Sequence, residues 1–140
     1  MVSNLLQMKK TRILVVDDLY TNRILIRELL KTLKLEFKMV ENGKEAIEAL
    51  QSEVFDLVLM DIEMPVMNGI ETTKYIREIM PAPLCKIPII ALTAHNPVLF
   101  FEDFKEVGFN SLLVKPYSLK RLTELINSYC PISLSDTKNK

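Results

Sequence analysis

Five polar residues follow short apolar runs in this sequence, and their types together are suited to phosphoryl chemistry. They are Asp17, Asp18, Asp61, Thr93 and Lys115. Carboxylates held close together repel each other unless a cation is present, and oxygen ligands favour a hard divalent ion. Mg²⁺ suits a site with few carboxylates, several waters and a phosphate oxygen. The competing interpretation is that Asp17 and Asp18 only cap the next helix, because acids are common near helix N-termini.

Asp61 is the candidate nucleophile, since an aspartate carboxylate can attack phosphorus and form an acyl phosphate. In that chemistry the protein mainly positions the groups and neutralises charge. Lys115 would place a positive charge on one phosphoryl oxygen, and the Thr93 hydroxyl would donate a hydrogen bond to another. A cis bond between Lys115 and Pro116 would fix the direction of the lysine. The alternatives are that Thr93 is an ordinary β-branched strand residue and that Lys115 is a solvated charge.

The spacing of apolar residues predicts five β-α units in series. The strands are expected at residues 12–16, 36–40, 56–60, 87–92 and 111–114. The helices are expected at residues 21–33, from 43, from 70, at 97–107 and at 118–129. This order predicts a parallel sheet with helices on both faces, in which ligands bind at the carboxyl ends of the strands. All five polar residues should therefore meet at one edge of the sheet.

The length and composition of the chain fit one domain whose net charge creates no strong electrostatic field. The chain has 140 residues, of which 49% are hydrophobic, and its 18 acidic and 18 basic side chains cancel. We expect an N-terminal extension at 1–9, a domain at 10–129 and a polar tail at 130–140. Neither nucleic acid nor a membrane is expected as a partner. No signal peptide or membrane span is evident in the sequence, and Cys85 and Cys130 lack metal-binding spacing, so we expect a cytoplasmic protein with free thiols.

Several longer segments resemble one known family. They are ILVVDD (13–18), NGKEA (42–46), DLVLMDIEMPVMNGIE (56–71), IIALTAH (89–95) and GFNSLLVKP (108–116). In this order and spacing the chain resembles the receiver domain of two-component response regulators and hybrid histidine kinases, over residues 10–129. The resemblance implies an α/β, doubly wound, flavodoxin-like (βα)5 domain with strand order 2-1-3-4-5.

The resemblance also assigns roles to the residues at the strand ends. It implies that Mg²⁺ is bound by Asp18, Asp61 and the backbone carbonyl of Glu63, with Asp17 in support. Asp61 would be phosphorylated, while Thr93 and Lys115 would contact the phosphoryl group. Asp56, the other aspartate of the third strand, is expected at the opposite end of that strand.

Two further positions should tune the lifetime of the phosphorylated state. They are Glu63, two residues after the acceptor, and His95, two residues after the threonine. We expect their bulky side chains to slow attack by water. The family's usual aromatic switch residue, three positions before the lysine, is replaced here by Leu112. This substitution makes the usual aromatic read-out doubtful and leaves the chemistry intact.

Phosphorylation should require an outside donor. His95 is the single histidine of the chain and does not lie on a predicted helix, so we expect a histidine kinase, a histidine-phosphotransfer protein or a small donor such as acetyl phosphate. The signal should then pass to a protein effector, with the chain a monomer or weak dimer. The apolar helix at 97–107, with Phe101 and the nearby Leu112, is one candidate partner surface. A wide buried face explains the same pattern equally well.

Other functions remain open at this level. A phosphohydrolase of the haloacid dehalogenase kind uses similar residues, but its nucleophile belongs to a DxD motif on the first strand, where this chain has adjacent Asp17 and Asp18. A degenerate receiver could act as a binding module without phosphorylation. We favour a stand-alone response regulator that is not an enzyme beyond its own phosphorylation and slow dephosphorylation. It would be either a terminal effector or an intermediate of a phosphorelay.

Overall fold

The computed structural model describes residues 11–64, 66–94 and 105–130, and their central feature is a parallel sheet. Its strands are β1 (Arg12–Val16), β2 (Glu36–Val40), β3 (Leu57–Asp61), β4 (Ile89–Thr93) and β5 (Ser111–Val114). They lie in the order β2-β1-β3-β4-β5, and every neighbouring pair is parallel. The predicted fold and strand order are confirmed.

Four helices of the described residues connect and cover the strands. They are α1 (Tyr20–Thr32), α2 (Gly43–Ser52), α3 (Gly69–Glu78) and α4 (Leu119–Tyr129), with a 3₁₀ turn at Leu84–Lys86. Of the helix predicted at 97–107, residues 105–107 are helical and the preceding ones lie outside the described part. No helix of the described residues is long and apolar enough to cross a membrane.

Short polar side chains start three of these helices. Asn42 Oδ1 accepts from the Glu45 amide at the start of α2, at 2.9 Å. Asn68 and Glu71 form a reciprocal capping box at the start of α3. Ser118 Oγ accepts a hydrogen bond from the Arg121 amide at the start of α4. Such caps contribute about 1 kcal/mol each, and they fix where the chain turns from a loop into a helix.

The sheet separates two apolar cores, because successive side chains of a strand point to opposite faces. One core, packed under α1 and α4, includes Ile13, Val15, Leu57, Leu59, Leu113, Ile26 and Leu122. The other, packed under α2 and α3, includes Leu14, Val16, Val58, Met60, Leu112, Leu50 and Ile76. In β1, β3 and β5, odd-numbered residues therefore face α1 and α4, and even-numbered residues face α2 and α3.

The expected place of Leu112 on an exposed partner surface is wrong. Leu112 is 6% exposed and belongs to the core under α2 and α3, together with Phe109. Its even-numbered position on β5 turns its side chain towards that core. Phe101, the other residue of the expected surface, lies outside the described residues.

Asn110 and Arg77 join β4 and β5 at the edge where these strands begin. Asn110 Oδ1 accepts hydrogen bonds from the Ile89 amide at 2.8 Å and from Arg77 Nη2 at 3.0 Å. Arg77 also donates to the carbonyls of Cys85 and Gly108. These bonds help to hold the register in which the far ends of β4 and β5 lie side by side.

Gly69 allows α3 to begin directly against the end of β3. Its amide donates to the Ile62 carbonyl at 2.9 Å. A Cβ atom at position 69 would lie 2.2 Å from the Asp61 carbonyl oxygen and 2.9 Å from Ile62 Cα. Because both neighbours are backbone atoms, a larger residue would displace the segment that follows Asp61.

We expect Gly69→Ala to lower the free energy of unfolding by about 1–3 kcal/mol, because overpacking against backbone forces the chain to shift. Urea unfolding would measure this change. Glu78→Ala, at the exposed far end of the same helix, is the control and should change stability by less than about 0.5 kcal/mol. If Gly69→Ala were as stable as the wild type, the close approach of position 69 to the backbone of Asp61 and Ile62 would be contradicted.

Candidate functional site

Three carboxylates meet at the carboxyl ends of the neighbouring strands β1 and β3. Asp17 and Asp18 follow β1, and Asp61 is the last residue of β3. One carboxylate oxygen from each lies within 4.8 Å of the others. Asp17 is fully buried and Asp61 is 2% exposed, whereas Asp18 is half-buried. The predicted convergence of these acids is confirmed.

Helix capping explains only part of this acidic group. Asp17 Oδ1 accepts from the Leu19 amide at 2.9 Å, and Arg23 donates to the Asp17 carbonyl at 2.8 Å. The N-cap of α1 is Leu19 itself, which makes no side-chain cap. Asp17 Oδ2 is buried and has no hydrogen-bond partner within the described residues. A buried carboxylate oxygen without a partner is unusual and calls for a water or a cation.

Lys115 reaches across the sheet to the third carboxylate. It follows β5, yet its Nζ atom lies 3.5 Å from Asp61 Oδ1. Thr93 ends the intervening strand β4, is 3% exposed and accepts the Lys115 amide through its carbonyl at 2.8 Å. The Lys115–Pro116 peptide bond is cis. The ammonium and the candidate acceptor are therefore adjacent, as predicted, with Thr93 on the strand between them.

The surroundings of Asp61 disfavour its ionised form when no cation is bound. Burial, and then the negative charge of Asp17, raise the pKa of Asp61 to about 7. The charge of Lys115 and the Glu63 amide, which donates to Asp61 Oδ1 at 3.2 Å, act in the opposite direction. The crowded carboxylates and the unpartnered oxygen of Asp17 fit a hard divalent cation, which would relieve both.

The remaining predicted site residues are placed as follows. The Glu63 side chain is exposed beside the site. His95 lies outside the described residues. Asp56 Oδ2 accepts from the Arg12 amide at 2.8 Å, where β1 and β3 begin. Asp56 is thus at the opposite edge of the sheet, as expected. Cys85 and Cys130 are free thiols, also as expected.

Tyr117 belongs to this region and was not predicted. It is 8% exposed and lies two residues after Lys115, and its hydroxyl has no hydrogen-bond partner in the described part of the chain. Its ring packs in the core under α1 and α4. Its position two residues after the candidate lysine was the signal in the sequence that could have drawn attention to it.

Comparison with known proteins identifies the family. The model of the response regulator receiver domain matches residues 13–127. The chain belongs to the response regulator receiver family. Receiver domains of this family are signalling modules of two-component systems rather than classical enzymes, and the fold described above is theirs.

Two curated relatives show the contexts in which similar sequences occur. The receiver is 36% identical over 133 residues to the sensor histidine kinase GacS of Pseudomonas protegens, covering 92% of this chain but 14% of that protein. It is 35% identical over 125 residues to two-component response regulator 24 of Arabidopsis thaliana, covering 89% of this chain and 86% of that protein. The chain thus spans about a seventh of the length of the kinase it matches.

Two solved structures are similar in fold. One is the receiver domain of the sensor histidine kinase PA1611 of Pseudomonas aeruginosa, with magnesium in its active-site cleft. It has a TM-score of 0.78 and 29% identity, and the match covers 86% of this chain and 98% of that one. The other is the receiver domain of Ssk1 of Saccharomyces cerevisiae, in complex with the histidine phosphotransfer protein Ypd1. It has a TM-score of 0.76 and 30% identity, and the match covers 86% of this chain and 88% of that one.

The raised pKa of Asp61 should make the metal-free receiver less stable as pH rises. Because the folded state holds this proton more tightly than the unfolded state, its contribution is fully present below about pH 4 and is lost as pH rises through about 7. We expect Asp61→Asn to match the wild type near pH 4 and to exceed it by on the order of 2 kcal/mol near pH 8.

Urea unfolding in EDTA across this pH range would measure the difference. Asp61→Asn removes the titrating group and leaves the shape of the side chain nearly unchanged, so the pH dependence of the difference isolates Asp61. A difference in the free energy of unfolding that does not change with pH would contradict the raised pKa of Asp61.

Proposed function

We propose that this receiver accepts a phosphoryl group on Asp61 from a phosphohistidine donor, in a Mg²⁺-dependent reaction. The observation that supports it most strongly is the composition of one small site. A buried carboxylate lies 3.5 Å from an ammonium group, and two further carboxylates lie within 4.8 Å. This arrangement combines a nucleophile with the positive charge and the acidic ligands that phosphoryl transfer uses.

In the proposed reaction, an oxygen of Asp61 forms a bond to phosphorus while the bond from phosphorus to the donor imidazole breaks. The product is an acyl phosphate, and the electron pair of the broken bond remains on the imidazole. Lys115 would neutralise one phosphoryl oxygen, and the Thr93 hydroxyl would donate to another. Mg²⁺ would be held by Asp18, Asp61 and the Glu63 carbonyl, with Asp17 in support, and would supply further positive charge to the phosphoryl oxygens.

The partners follow from this chemistry and from the relatives. A histidine kinase or a histidine-phosphotransfer protein would supply the phosphoryl group, and the complex of Ssk1 with Ypd1 supports the second kind of partner. The extensive match to response regulator 24 supports a stand-alone response regulator comprising the domain at 10–129. Such a protein would change its affinity for an effector protein or pass the phosphoryl group to a further histidine.

The site differs from that of the alternative phosphohydrolase. The candidate nucleophile ends β3, whereas β1 is followed by two adjacent acids, of which Asp17 is fully buried. The alternating acids that a haloacid dehalogenase carries on its first strand have no counterpart here. Turnover of free phosphate esters is therefore not part of the proposed function.

Incubation with acetyl phosphate tests the acceptor directly. We expect Phos-tag electrophoresis and intact mass to show one Mg²⁺-dependent phosphoadduct in the wild type and none in Asp61→Asn, since the nucleophilic carboxylate is gone. Asp56→Asn is the matched control, because it changes the aspartate at the other end of the same strand segment, and it should still be phosphorylated.

Two results would contradict this assignment. One is an adduct that persists in Asp61→Asn or forms equally well in EDTA. The other is the absence of any adduct in the wild type with both acetyl phosphate and a phosphorylated histidine-phosphotransfer protein. The second result would favour a receiver that acts as a binding module.

The roles proposed for Glu63 and His95 predict a change in lifetime. Replacing both by Ala should shorten the half-life of the phosphorylated state several-fold, because water gains access to the acyl phosphate. The decay of the phosphoadduct after removal of the donor measures this half-life. Glu48→Ala is the control, because it deletes an exposed carboxylate on α2 and should leave the half-life unchanged. An unchanged half-life in the double variant would refute the proposed tuning.

A further inference from the structure

Arg23 holds the backbone carbonyl that lies between the two acids after β1. It belongs to the first turn of α1, where its amide donates to the Leu19 carbonyl at 3.0 Å. Its Nη1 atom donates to the Asp17 carbonyl at 2.8 Å. The Arg23 side chain is 16% exposed and Asp17 is fully buried, so water competes little for this bond. Hydrogen bonds from a charged donor are stronger than neutral ones, and this one ties α1 to the chain just before Asp18.

The peptide group that joins Asp17 to Asp18 determines whether both carboxylates can serve one site. Successive side chains of a strand point to opposite faces. Asp17 and Asp18 nevertheless each place an oxygen in the acidic group with Asp61, in which the oxygens lie within 4.8 Å of one another. The backbone must therefore leave strand geometry between the two acids, and β1 ends at Val16. The orientation of this peptide group sets where the Asp18 side chain lies relative to Asp17.

Three hydrogen bonds hold the chain around Asp17. The Asp17 amide donates to the Val40 carbonyl at 3.1 Å, and Asp17 Oδ1 accepts from the Leu19 amide at 2.9 Å. Neither of these bonds involves an atom of the peptide group between Asp17 and Asp18. The third bond, from Arg23, is made to the carbonyl oxygen of that peptide group itself. Arg23 is therefore placed to fix its orientation.

The other described contacts of the Arg23 guanidinium are longer and more exposed. Nη2 lies 3.8 Å from Glu41 Oε2, and the Glu41 side chain is 64% exposed. Cζ lies 5.9 Å from the centre of the exposed Tyr20 ring. Exposed ion pairs and exposed cation–π contacts contribute little to stability. The bond to the Asp17 carbonyl is thus the contact that best accounts for an arginine at this position.

We propose that Arg23 is a positioning residue of the cation site, which holds the peptide group between Asp17 and Asp18 in the orientation that brings both carboxylates to the cation. Arg23 would contact neither the cation nor the phosphoryl group and would act through the backbone of Asp17. Partners behind a metal site orient the groups nearest the metal, and their loss typically weakens metal binding. The inference rests on the Mg²⁺ site of the proposed function.

The positive charge of Arg23 makes this role separable from a purely electrostatic one. A guanidinium beside an acidic site repels a cation, so by charge alone its removal should strengthen Mg²⁺ binding. Loss of the positioning bond should weaken Mg²⁺ binding instead. The two explanations therefore predict opposite signs for the change in Kd.

We expect Arg23→Met to raise the Kd for Mg²⁺ about tenfold. Methionine keeps an unbranched side chain of similar helix propensity and lacks the guanidinium. Titration followed by the amide chemical shifts of Asp61 and Glu63 measures the Kd without any phosphorylation. In EDTA the amide shift of Asp18 should also move, because this N–H belongs to the peptide group that Arg23 holds. Arg23→Gln is a second variant, and both measurements should change in the same direction as in Arg23→Met.

Arg27→Met is the matched control. Arg27 lies about one turn further along α1, and its Nε atom lies 3.7 Å from Glu28 Oε2. This change removes a guanidinium from the same helix without touching the bond to Asp17. It should leave both the Kd for Mg²⁺ and the metal-free amide shift of Asp18 unchanged.

Three results would overturn the inference. A Kd that stays the same or falls in both Arg23 variants, with normal binding by the wild type, would do so and leave the proposed function standing; a lower Tm alongside it would indicate a purely structural role. An Asp18 amide shift that matches the wild type in EDTA would show that the peptide group does not depend on Arg23. A wild type that binds no Mg²⁺ would remove the metal from the proposed function and this inference with it.

Discussion

The crowding of negative charge at the ends of β1 and β3 is the constraint on which the rest of the structure depends. Asp17, Asp18 and Asp61 present oxygens within 4.8 Å of one another, and among the described contacts a single ammonium, that of Lys115, opposes them. Such a group would separate if its backbone were free to move. It stays together because β1 and β3 are fully paired and their side chains fill both apolar cores. Packing energy from the whole sheet is thus used to hold an unfavourable local arrangement.

The surrounding elements serve the same end by fixing where each strand stops. The capping box of Asn68 and the tight approach of Gly69 set the path of the chain after Asp61. Arg77 and Asn110 secure β4 and β5 at the edge where these strands begin. The hydrogen bonds of Arg77 and Asn110 thus lie at the edge where the strands begin, whereas the mutually repelling carboxylates lie at the edge where the strands end. A bound cation would reduce the repulsion among these carboxylates, and cation binding would therefore stabilise the folded chain.

Much of the fold and site could be predicted from the sequence, because parallel β-α units require the residues after each strand to meet at one edge. This reasoning placed Asp61 beside Lys115 and Asp56 at the far end. It failed for Leu112, because local periodicity does not show that the edge strand β5 is covered on both faces. It also missed Tyr117, since an aromatic residue near a strand end usually only fills a core. The shifted pKa of Asp61 arises from burial and from a neighbour distant in sequence, so composition and spacing could not give it.

The separation of the two cores has a consequence for how information can cross the molecule. Lys115 reaches Asp61 at the carboxyl edge of the sheet, whereas Leu112 is embedded in the core under α2 and α3. If a phosphoryl group on Asp61 attracted the ammonium of Lys115, the displacement would reach Leu112 through the backbone of Leu113 and Val114. Among the described strands β5 pairs with β4 alone, so it can tilt with less disruption than any inner strand. A tilt of β5 as a whole would then carry the change from Lys115 to Leu112. This would explain how a receiver with leucine at position 112 could still transmit its phosphorylation state.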